Sequence, residues 1–238
     1  MVGIGPGDPL DRTHRAEHAI AESSVVVGYT TYIDLVDDLI GDREVISTGM
    51  TGEVERCRRA LEEALHGETV TLVSSGDPGI YGMAGLALEM CEAEELHVPV
   101  EIVPGVTAAG SAAARLGAPL MLDFACVSLS DLLVPWERIR KRLEAVAAAD
   151  LVCVLYNPRS KRRMENLNKA REIFLRHRPA TTPVGIGTAV GRENERIVLT
   201  TLDELPEEEV NMRSTVIIGN RSTREVAGLM LTPRGYEL

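Results

Sequence analysis

Ser74-Ser75-Gly76-Asp77-Pro78-Gly79-Ile80-Tyr81-Gly82 follows an apolar run at residues 70–73 and precedes a segment, 83–96, of helical character. The run has the composition of a buried strand, so the stretch reads as a turn leaving the carboxyl end of that strand. In open α/β sheets ligands bind at such ends. Gly76, Gly79 and Gly82 permit positive φ or close approach of backbone to a ligand, and Pro78 stiffens the turn. A second turn of similar make, Gly3-Ile4-Gly5-Pro6-Gly7-Asp8-Pro9, lies near the start of the chain.

Outward from these turns the chain alternates. Strands are expected at residues 1–4, 24–28, 44–47, 69–73 and 98–103. Helices are expected at 11–23 with Asp11 as N-cap, at 30–40 with Gly41 as stop, at 52–66 capped by Thr51, and at 83–96. The third helix should turn Val54, Cys57, Leu61, Ala64 and Leu65 to one face. An Ala-rich helix follows at 106–116, and Gly117-Ala118-Pro119 breaks it. We place a domain boundary there, giving domains at 1–117 and 118–238. In the second half, strands are expected at 125–129, 151–156, 184–189, 196–201 and 215–218. One helix begins after Pro135 with a stripe of Trp136, Ile139, Leu143 and Val146. Another is capped by Ser160, with Met164, Leu167, Ala170 and Phe174 sharing a face. The fold class is α/β, with a parallel sheet in the first domain and a mixed sheet in the second.

The chain of 238 residues is long enough for a substantial core. It shows neither a membrane-length apolar run nor a secretory signal pattern. Its four cysteines, Cys57, Cys91, Cys126 and Cys153, are dispersed and form no Cys/His cluster, so reduced thiols in a cytoplasmic protein are expected and no metal site. The net charge of −11 is unevenly divided. Residues 1–117 hold 7 Arg and no Lys against 20 Asp and Glu, a balance of −13, whereas residues 118–238 hold 18 basic against 16 acidic residues. The basic residues of the second half concentrate between Arg138 and Arg178.

Neither glycine turn is a phosphate loop. The opening turn fails GxGxxG because position 8 is Asp, Gly185-Ile186-Gly187 fails because position 190 is Val, and no GxxxxGK[ST] exists. Asp8 and Asp77 place carboxylates in the two turns, which repel a diphosphate. Acidic, glycine-lined turns suit a ligand with hydroxyls or a positive centre. S-adenosylmethionine has a sulfonium, an ammonium and a ribose diol, and no phosphate. Taken alone, either loop reads first as an ordinary tight turn. Two further loops follow expected strands: Pro104-Gly105-Val106-Thr107-Ala108 and Tyr156-Asn157-Pro158-Arg159-Ser160.

With these residues assembled, the chain resembles the tetrapyrrole (corrin/porphyrin) methylase family of S-adenosylmethionine-dependent methyltransferases. The landmarks are the GxGPGD opening, the GDP-x-x-YG loop and the PGVTA segment. Within the family the resemblance points to the branch acting on C17 of precorrin-3B or its cobalt-bearing counterpart. It is carried by Gly28-Tyr29-Thr30-Thr31-Tyr32, by residues 74–85, by Ser128-Leu129-Ser130-Asp131-Leu132-Leu133, by Tyr156-Asn157-Pro158-Arg159-Ser160-Lys161 and by Thr232-Pro233-Arg234-Gly235-Tyr236. The resemblance implies a two-domain fold, a homodimer, and S-adenosylmethionine as methyl donor with S-adenosylhomocysteine as product. It implies donor contacts at Pro6, Gly76, Asp77, Ile80, Thr107, Ala108, Tyr156, Asn157, Gly187 and Ala189. Pro6 also borders the tetrapyrrole trough.

Arg159, Lys161, Arg162 and Arg163 fall at the expected start of a helix, where its dipole disfavours cations by about 0.3–1 kcal/mol each. Such a breach of a local rule marks a candidate functional site. Peripheral carboxylates of a tetrapyrrole would supply the missing negative charge, and Arg forks suit them. Arg159, Lys161 and Arg163 are therefore candidate substrate contacts, and Asp8 and Ser130 are placed with them as further candidates. The expected reaction is in-line methyl transfer to an electron-rich tetrapyrrole carbon with contraction of the ring. His14, His18 and Asp131 are titratable candidates for the accompanying proton movement, and none is selected. No membrane or nucleic-acid partner is expected: aromatics are only 3%, leaving few platforms for base stacking. Competing readings are a methylase acting on another carbon, an rRNA or diphthamide-type methylase, and a non-catalytic tetrapyrrole carrier.

Overall fold

The computed structural model describes residues 1–237, which form two compact units, Met1–Ala108 and the chain from Ala109 onward. The first contains β1 (Val2–Gly3), α1 (His14–Glu22), β2 (Val25–Tyr29), α2 (Thr30–Asp34), α3 (Asp37–Ile40), β3 (Glu44–Thr48), α4 (Glu53–Leu65), β4 (Val70–Ser74) and α5 (Ala84–Ala93). Its sheet has the order β1-β4-β2-β3, and every pairing is parallel. Side chains alternate between the two covered faces, which explains why β2 and most of β4 are apolar, whereas the edge strand β3 exposes Glu44, Val45 and Ser47. Val26 and Val73 pack with α1, α2 and α3 through Ala16, Ile20, Ile33 and Ile40. Val25, Val27 and Leu72 pack on the opposite face with Cys57, Leu61, Ala87 and Met90 of α4 and α5.

Several local expectations are corrected. Residues 98–103 form no ladder. Only Val103 bridges to Val2, in parallel, through its N–H to the Met1 carbonyl (2.8 Å) and its carbonyl to the Gly3 N–H (2.9 Å). The Met1 amino group donates to the Glu101 carbonyl at 2.9 Å, and the pairing ends there. Helix α1 is capped by Thr13, whose hydroxyl accepts from the Ala16 N–H at 3.1 Å, while Asp11 ends a short 3-10 turn. The expected helix at 30–40 breaks into α2 and α3. Arg12 takes the Leu35 carbonyl at 3.0 Å, and Val36 turns into the core. Thr51 caps nothing: it lies at φ +65° and its hydroxyl donates to its neighbour's carbonyl. Helix α4 instead buries Arg56, Cys57, Ala60 and Leu61. Val54 and Leu65 are 54% and 52% exposed, outside the face assigned to them. Arg56 reaches back to Thr48 Oγ1 (2.8 Å) and the Gly49 carbonyl (2.9 Å), tying α4 to the end of β3.

The second unit contains α6 (Ala108–Leu116), β5 (Gly117–Ala118), β6 (Phe124–Ser128), α7 (Trp136–Ala148), β7 (Val152–Tyr156), α8 (Asn166–Leu175), β8 (Pro183–Thr188), β9 (Arg196–Thr201), β10 (Ser214–Ile218), β11 (Arg224–Val226) and β12 (Leu229–Leu231). Its main sheet runs β6-β7-β10-β8-β9, with β6 and β7 parallel and the other pairs antiparallel. One face packs Cys153, Leu155, Ile186 and Val216 against α7 and α8. The other packs Val152, Val154 and Ile217 against Ala109, Ala112 and Leu116 of α6. Helix α6 lies close on β8 because residues 185 and 187 lack side chains. A Cβ at Gly185 would stand 2.4 Å from Leu116 Cδ1, and one at Gly187 3.1 Å from Ala112 Cβ. This packing assigns α6 to the second unit, so the units divide at Ala108/Ala109 rather than at 117/118.

Helix α8 begins at Asn166, not at Ser160. Ser160 and Arg163 instead exchange backbone hydrogen bonds of 3.0 and 3.1 Å across a tight turn. The basic run 159–163 therefore sits on a loop ahead of the helix, and the helix-dipole argument for it does not hold. Residue 164 is likewise outside α8, and its side chain is exposed. Among the described residues, no helix is long and apolar enough to cross a membrane, and no group of three His, Cys, Asp or Glu could hold a metal ion. The four thiols are free. Burial pushes Cys57 up to about 11 and Cys153 up to about 12.

Candidate functional site

In the first unit, three loops leave the same sheet edge side by side, because β1 lies between β4 and the Val103 bridge. They are joined backbone to backbone. The Gly5 N–H donates to the Gly76 carbonyl (3.2 Å), and the Gly76 N–H donates to the Gly5 carbonyl (2.7 Å). Both glycines are left-handed, at φ +72° and +67°. A Cβ at Gly3 would lie 2.6 Å from the Gly105 nitrogen, and a Cβ at Gly105 only 2.2 Å from the Gly76 oxygen. The PGVTA, GDP and GxGPGD segments thus touch where no side chain fits.

Asp77 braces this junction. Its Oδ1 accepts from the Gly79 N–H at 2.8 Å and its Oδ2 from the Gly105 N–H at 3.1 Å, across to the neighbouring loop. Asp8 accepts from the Leu10 N–H at 2.9 Å and caps the turn Pro9–Asp11. Both carboxylates hold loop backbone in place, a role the sequence reading assigned only to ordinary turns. Pro6 is buried, Ile80 is exposed, and Thr107 and Ala108 stand half-buried at the start of α6.

In the second unit, the parallel strands β6 and β7 end together. Asn157 leaves β7 at φ +50°, and its Nδ2 donates to Ser128 Oγ at 3.0 Å. Ser128 Oγ also accepts from the Ser130 N–H at 3.2 Å. Arg163 spans both strand ends, donating to the Asn157 carbonyl (3.0 Å) and to Ser130 Oγ (3.3 Å). Its Nε is buried without a partner, and burial pulls the guanidinium pKa down while Asp131 nearby opposes this. The Tyr156 hydroxyl accepts from the Ala109 N–H at 2.9 Å, satisfying an amide that the first turn of a helix leaves open. Ala189, at φ +50° and buried, turns the chain after β8 through its N–H to the Arg213 carbonyl (2.9 Å).

The family model described as Tetrapyrrole (Corrin/Porphyrin) Methylases matches residues 1–206. The chain belongs to this family. A Salmonella typhimurium protein named "Probable cobalt-factor III C(17)-methyltransferase" is 49% identical over 238 residues, covering 100% of this chain and 99% of that protein. The crystal structure of the methyltransferase CobJ superposes with a TM-score of 0.91 at 36% identity and covers 98% of each chain. The Thermus thermophilus uroporphyrin-III C-methyltransferase, solved with S-adenosyl homocysteine bound, gives a TM-score of 0.67 at 26% identity, covering 92% of this chain and 95% of that one.

In this methylase the structure groups the anticipated residues unevenly. Gly76 and Asp77 stand at one junction with the loops that hold Pro6, Thr107 and Ala108. Tyr156, Asn157, Ser130 and Arg163 form another group. Gly187 backs onto α6, and packing is the role its contacts define. Arg159 donates to the Glu207 carbonyl, and Lys161 points to solvent. His14 and His18 are solvent-facing, paired with Glu17 (3.8 Å) and Glu22 (3.2 Å) on their own helix. Sequence reasoning missed Ser128 as the hub of the β6–β7 ends. It also missed Asn166, whose Nδ2 donates to the Leu129 carbonyl at 2.9 Å. A serine at the last strand position two residues before another serine was the available signal for the first. None marked the second, because the helix start was misplaced.

Proposed function

We propose that this methylase is an S-adenosylmethionine-dependent C-methyltransferase of corrin biosynthesis. It methylates C17 of cobalt-factor III or of metal-free precorrin-3B, with contraction of the macrocycle. Full-length likeness to the Salmonella protein carries this reading. The residues present fit the methyl donor. The loops around Asp77 combine the carboxylates of Asp8 and Asp77, the Thr107 hydroxyl and bare glycine backbone, with no cationic phosphate cradle among them. That chemistry suits a sulfonium, an ammonium and a ribose, and the S-adenosyl homocysteine bound in the Thermus protein supports it.

When bound, the donor supplies an electrophilic methyl group on sulfur. The protein's part is orientation, which is able to lower such a barrier by about 7–11 kcal/mol. The braced junction of Gly5, Gly76, Asp77 and Gly105 holds the methionine part, with Pro6, Ile80, Thr107 and Ala108. Within the second unit, Tyr156 and Asn157, fixed by Ala109 and Ser128, and the backbone at Gly187 and Ala189 form a separate candidate group for donor contacts. Ser130 and Arg163 receive a peripheral carboxylate of the tetrapyrrole, and Lys161 adds long-range attraction. Four free thiols, two of them buried, support a reducing, cytoplasmic setting, and exposed Phe124, Val226 and Leu229 support a homodimer.

The test is anaerobic incubation with cobalt-factor III, and separately with precorrin-3B, and a donor labelled in its methyl carbon. Label at C17 of a ring-contracted product is expected. Label on another carbon, or on RNA alone, would refute the assignment.

A further inference from the structure

The run Ser128-Leu129-Ser130-Asp131-Leu132-Leu133 does more than end a strand. Leu129 is fully buried, with its N–H on the Tyr156 carbonyl at 2.9 Å. Ser130 is held by Ser128 and Arg163. On the far side, Val134 packs against the core of the second unit and Pro135 precedes α7. Three residues project between these anchors, and two are leucines that are 82% and 91% exposed, Leu132 and Leu133.

Anchors this close leave the leucines no route back to the core, where Leu129 and Val134 already fill the adjacent places. A loop fixed at both ends and tipped with bare leucines is organised for an apolar surface. Its stem carries Ser130 and the Arg163 guanidinium, the cation there, with the exposed Asp131 carboxylate offsetting part of its charge. The matching ligand has an apolar face bordered by anionic groups. A tetrapyrrole has that make-up: a flat ring with methyl groups, rimmed by acetate and propionate carboxylates.

Resting on the tetrapyrrole reading above, we infer that Leu132 and Leu133 form an apolar flap lying on the face of the bound macrocycle, with Arg163 at its rim. The flap sets tetrapyrrole affinity and leaves donor affinity alone.

The test uses the full-length protein carrying Leu132→Ser with Leu133→Ser. Both side chains are exposed, so the fold and the thermal midpoint are expected to stay as they are. Methyl transfer to cobalt-factor III is measured against tetrapyrrole concentration, S-adenosylhomocysteine binding by calorimetry, and assembly mass by light scattering. Losing two buried leucine contacts is expected to raise KM for the tetrapyrrole about tenfold or more, with kcat changed less. S-adenosylhomocysteine affinity and mass should be unchanged. Leu132→Met with Leu133→Met should restore the KM. An unchanged KM in the serine variant, with the unaltered protein active, would overturn the flap alone. A fall in assembly mass would reassign the leucines to a contact between copies and overturn it too. No transfer by the unaltered protein would refute the proposed function and the flap together.

Discussion

Replacing Gly105 by Ala adds one methyl group at the place where three loops meet. The new Cβ would fall 2.2 Å from the Gly76 oxygen and 2.7 Å from the Gly3 carbonyl carbon. These neighbours are backbone, so no side chain can rotate out of the way. The Gly76 carbonyl is held by the Gly5 N–H, and the Gly105 N–H is held by Asp77. Gly105 has no positive φ, so the perturbation is purely steric. Inserting a methyl into a filled site costs about 1–3 kcal/mol. For a unit of this size that is a fall in thermal midpoint of about 4–8 °C per kcal/mol. The same shift separates Asp77 from its partner loop, so S-adenosylhomocysteine affinity should drop about tenfold or more. Differential scanning calorimetry and titration calorimetry read the two effects. Gly85→Ala is the control: it lies in α5 with open space around it, and there Ala should be neutral or stabilising by up to about 1 kcal/mol. If Gly105→Ala matched the unaltered protein in both midpoint and affinity, the backbone junction would not be the framework described.

Asp77→Asn keeps one carbonyl acceptor but removes the charge and leaves the Gly105 or Gly79 amide unpaired, a penalty of about 1–3 kcal/mol; both stability and S-adenosylhomocysteine affinity should fall in calorimetry, and Asp77→Arg should unsettle the loops as well as the donor. Arg163→Lys cannot span Ser130 and the Asn157 carbonyl with a single ammonium, so tetrapyrrole KM should rise severalfold in steady-state assays while S-adenosylhomocysteine affinity changes little. The thiols of Cys57 and Cys153 titrate higher when folded, about 11 and about 12, than the value of 9.0 for an exposed thiol. Below pH 9 both states keep the proton. Above it only the native state does, so stability should fall as pH rises, by up to about 1.4 kcal/mol per pH unit for each thiol. Urea midpoints at successive pH values check this, and Cys57→Ala with Cys153→Ala should flatten the decline.

The α/β alternation was legible because the central strands, covered on both faces, are largely apolar, and helices between parallel strands repeat near 3.6 residues. The glycine-and-carboxylate turns were legible for a related reason: only such residues allow left-handed backbone and side-chain-to-amide turns. Local signals failed where neighbouring residues competed for the same cap or a side chain from another element intervened. Thr13 and Asp8 took over the capping that Asp11 was given. The expected helix at 30–40 broke where Arg12 takes the Leu35 carbonyl.

The sequence alone set the α/β alternation and the glycine- and aspartate-bearing turns, which follow from short-range stereochemistry, and its motifs carried the resemblance to the family. Tertiary structure alone decided what each loop residue does. Asp77 turned out to brace Gly105, the cations at 159–163 to precede their helix, and α6 to belong with the second sheet through Gly185 and Gly187. Each of those facts depends on contacts between residues far apart in the chain, which no local pattern encodes.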